Sequence, residues 1–500
     1  MTNAPITDDA PAPPKDLNAK AAKGGAVTLA ASLIQLALTL GSVAILARLL
    51  TPFDYGVTAL VYPLIAFLTL VGDLGLSTAT LQRGKLTHSQ SSTVFWIGLA
   101  VACAFTAVFA LLAPLAAMFY GQPAVASVMT VLGAGFLLNA LKAQHEALLK
   151  RELRLKVLAI NQVTALATGI GAAVFIASQG GGYWALVAMP LVQSAVAGLM
   201  AWRTSNWRPG PPSWGDGMPS MMNFGLYLTG FNVVNFLNRQ LDKILIGWKF
   251  GAGSLGYYAL AYRLLLLPLQ TIHYPLTNVA IPVLSKLTAE PARYKKYFLT
   301  VLTTISFCIC PIVAAGGLTA DLLIPFFLGE QWRPAAPIFA MLAIAGTVQI
   351  ITNTNGWIYA SMGRTDRQFW MRVATAPIIV AGFVVGLNWG AVGVAASYAI
   401  TTACLSPILI WNAVSVSPIP GRAYLAALAP TTLNTAAVAL AVLVARDLTP
   451  DPWSDIAEFG LCAGVAAAAY LAVALSLFGG RDARRRMGEL YGLLSPRSKA

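Results

Sequence analysis

Gly25-Ala26-Val27-Thr28-Leu29-Ala30-Ala31-Ser32-Leu33-Ile34-Gln35-Leu36-Ala37-Leu38-Thr39-Leu40-Gly41-Ser42-Val43-Ala44-Ile45-Leu46-Ala47 is a run of 23 residues without a charge. As a helix rising about 1.5 Å per residue, it is long enough to cross a hydrocarbon core of roughly 30 Å. Similar runs recur at 57–81, 93–118, 124–148, 157–178, 183–201, 220–246, 254–284, 297–328, 334–362, 368–388, 390–412, 422–446 and 454–478. None shows the two-residue alternation of a barrel strand, so the helix remains as the way to satisfy backbone groups where there is no water. Composition agrees: 57% of residues are hydrophobic, 10% are charged and the mean hydropathy is +0.69. A soluble domain carries about 25% charged residues. The fold class expected is therefore all-α, a polytopic membrane protein of about fourteen transmembrane helices.

The net charge of +14 raises nucleic acid as a partner. A nucleic-acid surface, however, gathers its cations on one domain, and here they are scattered through short loops. Alternate loops, from Lys15, Lys20 and Lys23 to Arg481, Arg484, Arg485, Arg486, Arg497 and Lys499, hold 24 of them. The intervening loops hold only 4, namely Arg48, Lys249, Arg333 and Arg446. By the positive-inside rule both termini are expected in the cytoplasm. The cysteines Cys103, Cys308, Cys310, Cys404 and Cys462 all lie in apolar spans, which predicts neither disulfide nor metal site.

The loop from Trp202 to Pro219, rich in Pro, Gly and Trp, separates spans six and seven. The halves on either side behave as repeats. A shift of 200 lays Gly56, Ala59, Leu60, Tyr62 and Leu64 on Gly256, Ala259, Leu260, Tyr262 and Leu264. A shift of 208 lays Leu115, Phe119, Gly121 and Gly182 on Leu323, Phe327, Gly329 and Gly390. The domain reading is a cytoplasmic tail at 1–24, a six-helix lobe at 25–201, a cytoplasmic linker at 202–219 and a second lobe at 220–412. Two additional helices follow at 413–478, and a basic tail at 479–500. An even number of spans per lobe makes the repeats parallel, with a binding site expected between them near mid-bilayer.

On span one, Ser32, Gln35, Thr39 and Ser42 follow steps of three and four and form one polar stripe. The shift of 200 places Asn232, Asn235, Arg239 and Asp242 at the equivalent positions of span seven. Either helix-to-helix bonding or a wet central cavity accounts for such faces. Charge narrows the choice on span seven, since a charged side chain at mid-bilayer costs roughly 2.5–3.5 kcal/mol even on the lenient scale. Asp242 cannot neutralise both Arg239 and Lys243, and Arg263 has no acid within span eight. Lys142 has Glu146 one turn on. The excess is positive, so an anion is the natural counter-ion, and a diphosphate suits arginine donors. Asp73, the only acid of span two, and Glu146 are the candidates for coupling to an ion or proton. Nucleotide-binding, metalloprotease and serine-hydrolase motifs are missing, and no extramembrane loop is large enough to organise catalysis, so neither enzyme activity nor a cofactor is expected.

Four segments bear a family likeness: Ala47-Arg48-Leu49-Leu50-Thr51-Pro52-Phe53-Asp54-Tyr55-Gly56, Asp73-Leu74-Gly75-Leu76, Asn238-Arg239-Gln240-Leu241-Asp242-Lys243-Ile244-Leu245-Ile246-Gly247 and Leu255-Gly256-Tyr257-Tyr258-Ala259-Leu260-Ala261-Tyr262-Arg263. The chain resembles the polysaccharide transporter family, the Wzx-like O-antigen and exopolysaccharide flippases of the multidrug/oligosaccharidyl-lipid/polysaccharide exporter superfamily. That resemblance implies two pseudo-symmetric lobes of the MATE/MurJ type plus two C-terminal helices. It also implies alternating access that carries an undecaprenyl-diphosphate oligosaccharide across a bacterial inner membrane, with Arg239, Arg263 and, less securely, Lys142 on the diphosphate; Lys243 is a further candidate cavity cation from its place in span seven. The partners implied are that lipid-linked sugar, the surrounding lipids, a polysaccharide polymerase and a chain-length regulator. The rival readings are a cation-coupled multidrug antiporter, which would want acids in its cavity, and a membrane enzyme of polysaccharide assembly.

Overall fold

The computed structural model describes residues 16–72, 88–152, 154–212, 218–449 and 454–478, with side chains except at 16–26, 28–29, 66–72, 218–239, 268–275 and 278. Every regular element among them is a helix. We number them α1 (Asp16–Leu49), α2 (Pro52–Gly72), α3 (His88–Tyr120), α4 (Ala124–Arg151), α5 (Leu155–Ser178), α6 (Trp184–Thr204) and α7 (Met218–Lys286). There follow α8 (Pro291–Leu318), α9 (Ala320–Leu328), α10 (Ala336–Asn353), α11 (Asn355–Ser361), α12 (Thr365–Gly386), α13 (Gly390–Ser415), α14 (Gly421–Asp447) and α15 (Asp455–Phe478).

Within the described residues each span read from the sequence falls on helix, spans seven and eight being the two limbs of α7 and the end of span two, 73–81, lying outside the described residues. Spans nine and ten are broken where one helix was expected. Thr319 leaves the helical conformation (φ −108°, ψ 20°) with its hydroxyl bonded back to Ala315 O at 2.9 Å, and α9 starts afresh behind it. The division of α10 from α11 at Thr354 is milder, since that residue keeps helical dihedrals (φ −66°, ψ −21°) with its hydroxyl donating to Ile351 O at 2.7 Å. Pro63, Pro114, Pro311 and Pro325 sit inside helices, and the non-helical residue of α7 is Gly251.

The described residues pack as two compact units, one drawn from Met1–Leu49, Leu64–Met118 and Gln122–Phe236, the other from Leu50–Pro63, Phe119–Gly121 and Leu237–Ala500. In the first, the segment after α6 is fastened down rather than loose. Trp202 Nε1 donates to Leu141 O at 2.8 Å, and His145 Nδ1 lies 2.6 Å from the Ser205 hydroxyl. Beyond them Gly210 N donates to Ser92 Oγ at 2.9 Å, and Trp96 Nε1 donates to Gly210 O at 2.8 Å.

In the second unit, α2 begins with a capping box: Thr51 N donates to Asp54 Oδ2 at 2.9 Å, Asp54 N donates to Thr51 Oγ1 at 3.3 Å, and Pro52 holds the first helical position. These first turns cross α7 just beyond Gly251. A methyl group on Gly56 would stand 1.7 Å from Ala252 O, and one on Gly256 would stand 1.9 Å from Pro52 O. The two contacts exchange under the shift of 200, so the crossing is a local pseudo-twofold axis. The longer shift has a backbone counterpart too: Gly121 and Gly329 both adopt positive φ (62° and 102°), as do Gly182 and Gly390 (53° and 72°). Finally, α14 is bound to α8 by a ladder of polar rungs. Thr303 donates to Ala427 O at 2.8 Å, the Ser306 and Thr431 hydroxyls are 2.8 Å apart, and Arg446 donates to Leu318 O at 2.7 Å.

Candidate functional site

Residues sixteen apart in a straight helix are about 24 Å apart. The Tyr258 hydroxyl nevertheless donates to Asp242 Oδ2 at 2.7 Å, so the limbs of α7 fold back on each other. Gly251 makes the reversal in one residue at φ 77° and ψ −176°, a conformation closed to side chains with a Cβ. The result is a hairpin that sets Asp242 and Lys243 of the first limb against Tyr258 and Tyr262 of the second.

Asp242 is 5% exposed, and both of its oxygens are engaged: Oδ2 by Tyr258, which is fully buried, and Oδ1 by the Lys243 backbone N–H at 2.8 Å. The Lys243 ammonium turns elsewhere. It donates to Gln240 Oε1 at 3.0 Å and lies 5.2 Å from the centre of the Tyr262 ring, within cation–π range. The Tyr258 and Tyr262 rings stack at 6.1 Å with an interplanar angle of 8°. The next residue in the chain, half-buried Arg263, lies within electrostatic range of the Tyr55 and Tyr62 hydroxyls of α2. Among the described residues no carboxylate forms an ion pair with Lys243 or Arg263. Trp332, fully buried, packs edge-on against Tyr55 (5.1 Å) and Tyr257 (5.8 Å).

Asp242 is thus taken up by the Tyr258 hydroxyl and a backbone amide, and the Lys243 ammonium is held by a neutral amide oxygen and a ring face. Desolvating an ammonium so held is costly unless an anion supplies the missing partner. Of the residues singled out from the sequence, the structure sets Asp242 beside Lys243, whereas Arg263 lies in range of the α2 tyrosines Tyr55 and Tyr62. Arg239, Asn232 and Asn235 lie on the first limb of α7, where only the backbone is described. Lys142 and Glu146 form their own pair on α4 at 3.9 Å, each about one-fifth exposed (20% and 19%). On α1, Thr39 donates to Gln35 O at 2.7 Å and Ser42 to Thr39 O at 2.8 Å, so those hydroxyls are saturated by their own helix. Ser32 is exposed and Gln35 half-buried on the same helix. Asp73 lies outside the described residues. Sequence reasoning missed Gln240, Tyr258 and Tyr262, although the four-residue spacing of the two tyrosines was available as a signal that they share a face.

The α7 hairpin, its crossing with α2 and Trp332 all fall within residues 45–337, which match the model of a family described as polysaccharide biosynthesis protein. The chain belongs to that family. Among its relatives, this polysaccharide biosynthesis protein is 27% identical over 409 residues to the teichuronic acid biosynthesis protein TuaB of Bacillus subtilis, covering 81% of this chain and 84% of the relative. It is 23% identical over 415 residues to the lipopolysaccharide biosynthesis protein WzxC of Escherichia coli, covering 82% and 83%. Its fold matches that of the lipid II flippase MurJ in an inward closed conformation, with a TM-score of 0.73 over 90% of this chain and 98% of the other. At 15% identity that likeness speaks for the fold alone. The all-α, multi-pass architecture expected from the sequence is the architecture of this polysaccharide biosynthesis protein.

Proposed function

We propose that this protein is a flippase that passes an undecaprenyl-diphosphate oligosaccharide from the cytoplasmic to the periplasmic leaflet of a bacterial inner membrane, for exopolysaccharide, capsule or O-antigen assembly. The observation that carries the reading is the Lys243 ammonium on the α7 hairpin, held by neutral partners while Asp242 is already taken by Tyr258 and its neighbouring amide. Lys243 and Arg263, with Arg239 on the same limb, would receive the diphosphate, whose several oxygens match guanidinium and ammonium donors. Support for the polymer comes from the family and from the printed names of TuaB and WzxC. Support for movement across the bilayer comes from the MurJ-type fold. Alternating access would expose the Lys243 ammonium to one leaflet and then the other. A potential of about 100 mV, negative inside, favours outward movement of an anion by about 2.3 kcal/mol per charge.

The test is leaflet exchange of a fluorescent undecaprenyl-diphosphate sugar in proteoliposomes, with wild type, Arg263→Ala, Arg239→Ala and Lys243→Ala compared at equal reconstitution. Losing a charge-assisted contact is worth about 1.5–3 kcal/mol, so Arg263→Ala is expected to exchange about ten- to a hundredfold more slowly at sub-saturating lipid. Wild-type rates in all three variants would remove the site.

A further inference from the structure

We infer that Tyr258 is a positioning residue, which occupies the Asp242 carboxylate and so leaves the Lys243 ammonium available to an anionic ligand. The inference rests on the proposed reading of the α7 hairpin as a diphosphate site and deepens it.

Asp242 and Lys243 are adjacent in the chain and both turn inward, so a direct ion pair would be the simplest arrangement. It is not the arrangement observed. The carboxylate accepts from the Tyr258 hydroxyl at 2.7 Å and from the Lys243 backbone at 2.8 Å. The ammonium is held by a neutral amide oxygen, Gln240 Oε1, and by the face of Tyr262. An amide oxygen and a ring face are weaker partners than a carboxylate, so a phosphate oxygen can displace them. Tyr258 is itself inaccessible, with no exposed surface, and its ring is set parallel to that of Tyr262. It therefore acts through Asp242 and not by touching a ligand.

Removing the phenol oxygen leaves Asp242 Oδ2 buried without a donor, a state that low dielectric makes expensive. The mobile donor at hand is Lys243, whose four-carbon stem lets its ammonium swing across to the carboxylate. Once that pair closes, the Lys243 ammonium is withdrawn from a ligand. Tyr258→Phe should therefore act like a partial loss of Lys243, although Lys243 is still present. Asp242→Asn, which abolishes the competing charge, should undo the effect.

The experiment measures binding of farnesyl diphosphate to the full-length protein in detergent, with farnesol as the uncharged control, in wild type, Tyr258→Phe, Asp242→Asn, Lys243→Ala and the Tyr258→Phe/Asp242→Asn double variant. Tyr258→Phe is expected to bind the diphosphate about tenfold more weakly with farnesol unchanged, the size of one charge-assisted contact. The double variant should return to wild-type affinity, and Asp242→Asn alone should bind at least as tightly as wild type. Should Tyr258→Phe fail to fold, Asp242→Asn still decides, because weakened diphosphate binding there overturns the inference. Equal losses in Tyr258→Phe and the double variant overturn it too, since they mark a merely structural tyrosine. If Lys243→Ala loses affinity while Tyr258→Phe does not, the inference falls and the diphosphate reading stands. If Lys243→Ala also binds as wild type, the reading of Lys243 fails and the inference goes with it.

Discussion

Replacing Gly56 by alanine places a methyl carbon 1.7 Å from the carbonyl oxygen of Ala252, where about 3.2 Å is the nearest ordinary approach of such atoms. The obstacle is backbone, so no side chain can rotate away, and the α2 and α7 segments must separate by about 1.5 Å. Overpacking of a tight interior costs typically 1–3 kcal/mol, and a clash with main chain on a buried helix sits at the upper end, about 3 kcal/mol. Gly256→Ala meets Pro52 O at 1.9 Å and should cost about the same. Because the two contacts are the two ends of one crossing, the first substitution opens the gap that the second needs. The double variant should therefore fall well short of the sum, with a coupling of about 1–2 kcal/mol. Thermal unfolding of purified protein in one detergent, followed by tryptophan fluorescence, measures all three. Gly41→Ala and Gly98→Ala are the controls, with nothing within 4 Å of the added carbon, and they should be neutral or slightly stabilising. If Gly56→Ala unfolds at the temperature of Gly41→Ala, or if the two clashes add in full, the pseudo-twofold crossing does not hold these segments.

Two further outcomes follow from contacts at other places. Arg446 bonds Asp321 at 2.5 and 3.1 Å, approaches Glu458 at 3.5 Å and also donates to Leu318 O, so Arg446→Ala should loosen α14 and α15 from α8 and α9 by about 1–3 kcal/mol. Earlier exchange of amide hydrogens in α14 would report it, and unchanged exchange would refute it. Ser205→Ala strips the buried His145 Nδ1 of its partner, so the segment from Trp202 to Gly210 should be cut faster by limited proteolysis, and equal cutting would show that the fastening lies elsewhere.

The spans were legible because water-free surroundings leave a long apolar run one secondary structure, so length and hydropathy suffice. The interruptions at Thr319 and Thr354 were not, because hydroxyls that bond back to their own helix look like any polar residue in an apolar stretch. The repeat offered Gly56 and Gly256 as a matched pair, but not that each receives the backbone of the other's segment, which depends on the distance between helices. Asp242, Lys243 and Arg263 stood out through the cost of charge in lipid, whereas Tyr258 gained its role only when Gly251 turned the chain back. The pairing of Lys142 with Glu146 follows from their four-residue spacing, and the stripe on α1 is explained in part by Thr39 and Ser42 bonding within the helix.

The one-residue reversal at Gly251 also bears on how the chain enters the bilayer during synthesis. Taken singly, the first limb would carry Asp242 and Lys243 into hydrocarbon at roughly 2.5–3.5 kcal/mol per charge. Inserted as a pair of limbs, it brings Tyr258 to Asp242 and Tyr262 to Lys243 from sixteen to nineteen residues downstream, before any later helix arrives. The translocon thus receives a segment that has already sheltered much of its own polarity. A residue with a side chain at 251 would hinder the hairpin before the finished protein ever had the chance to lose stability.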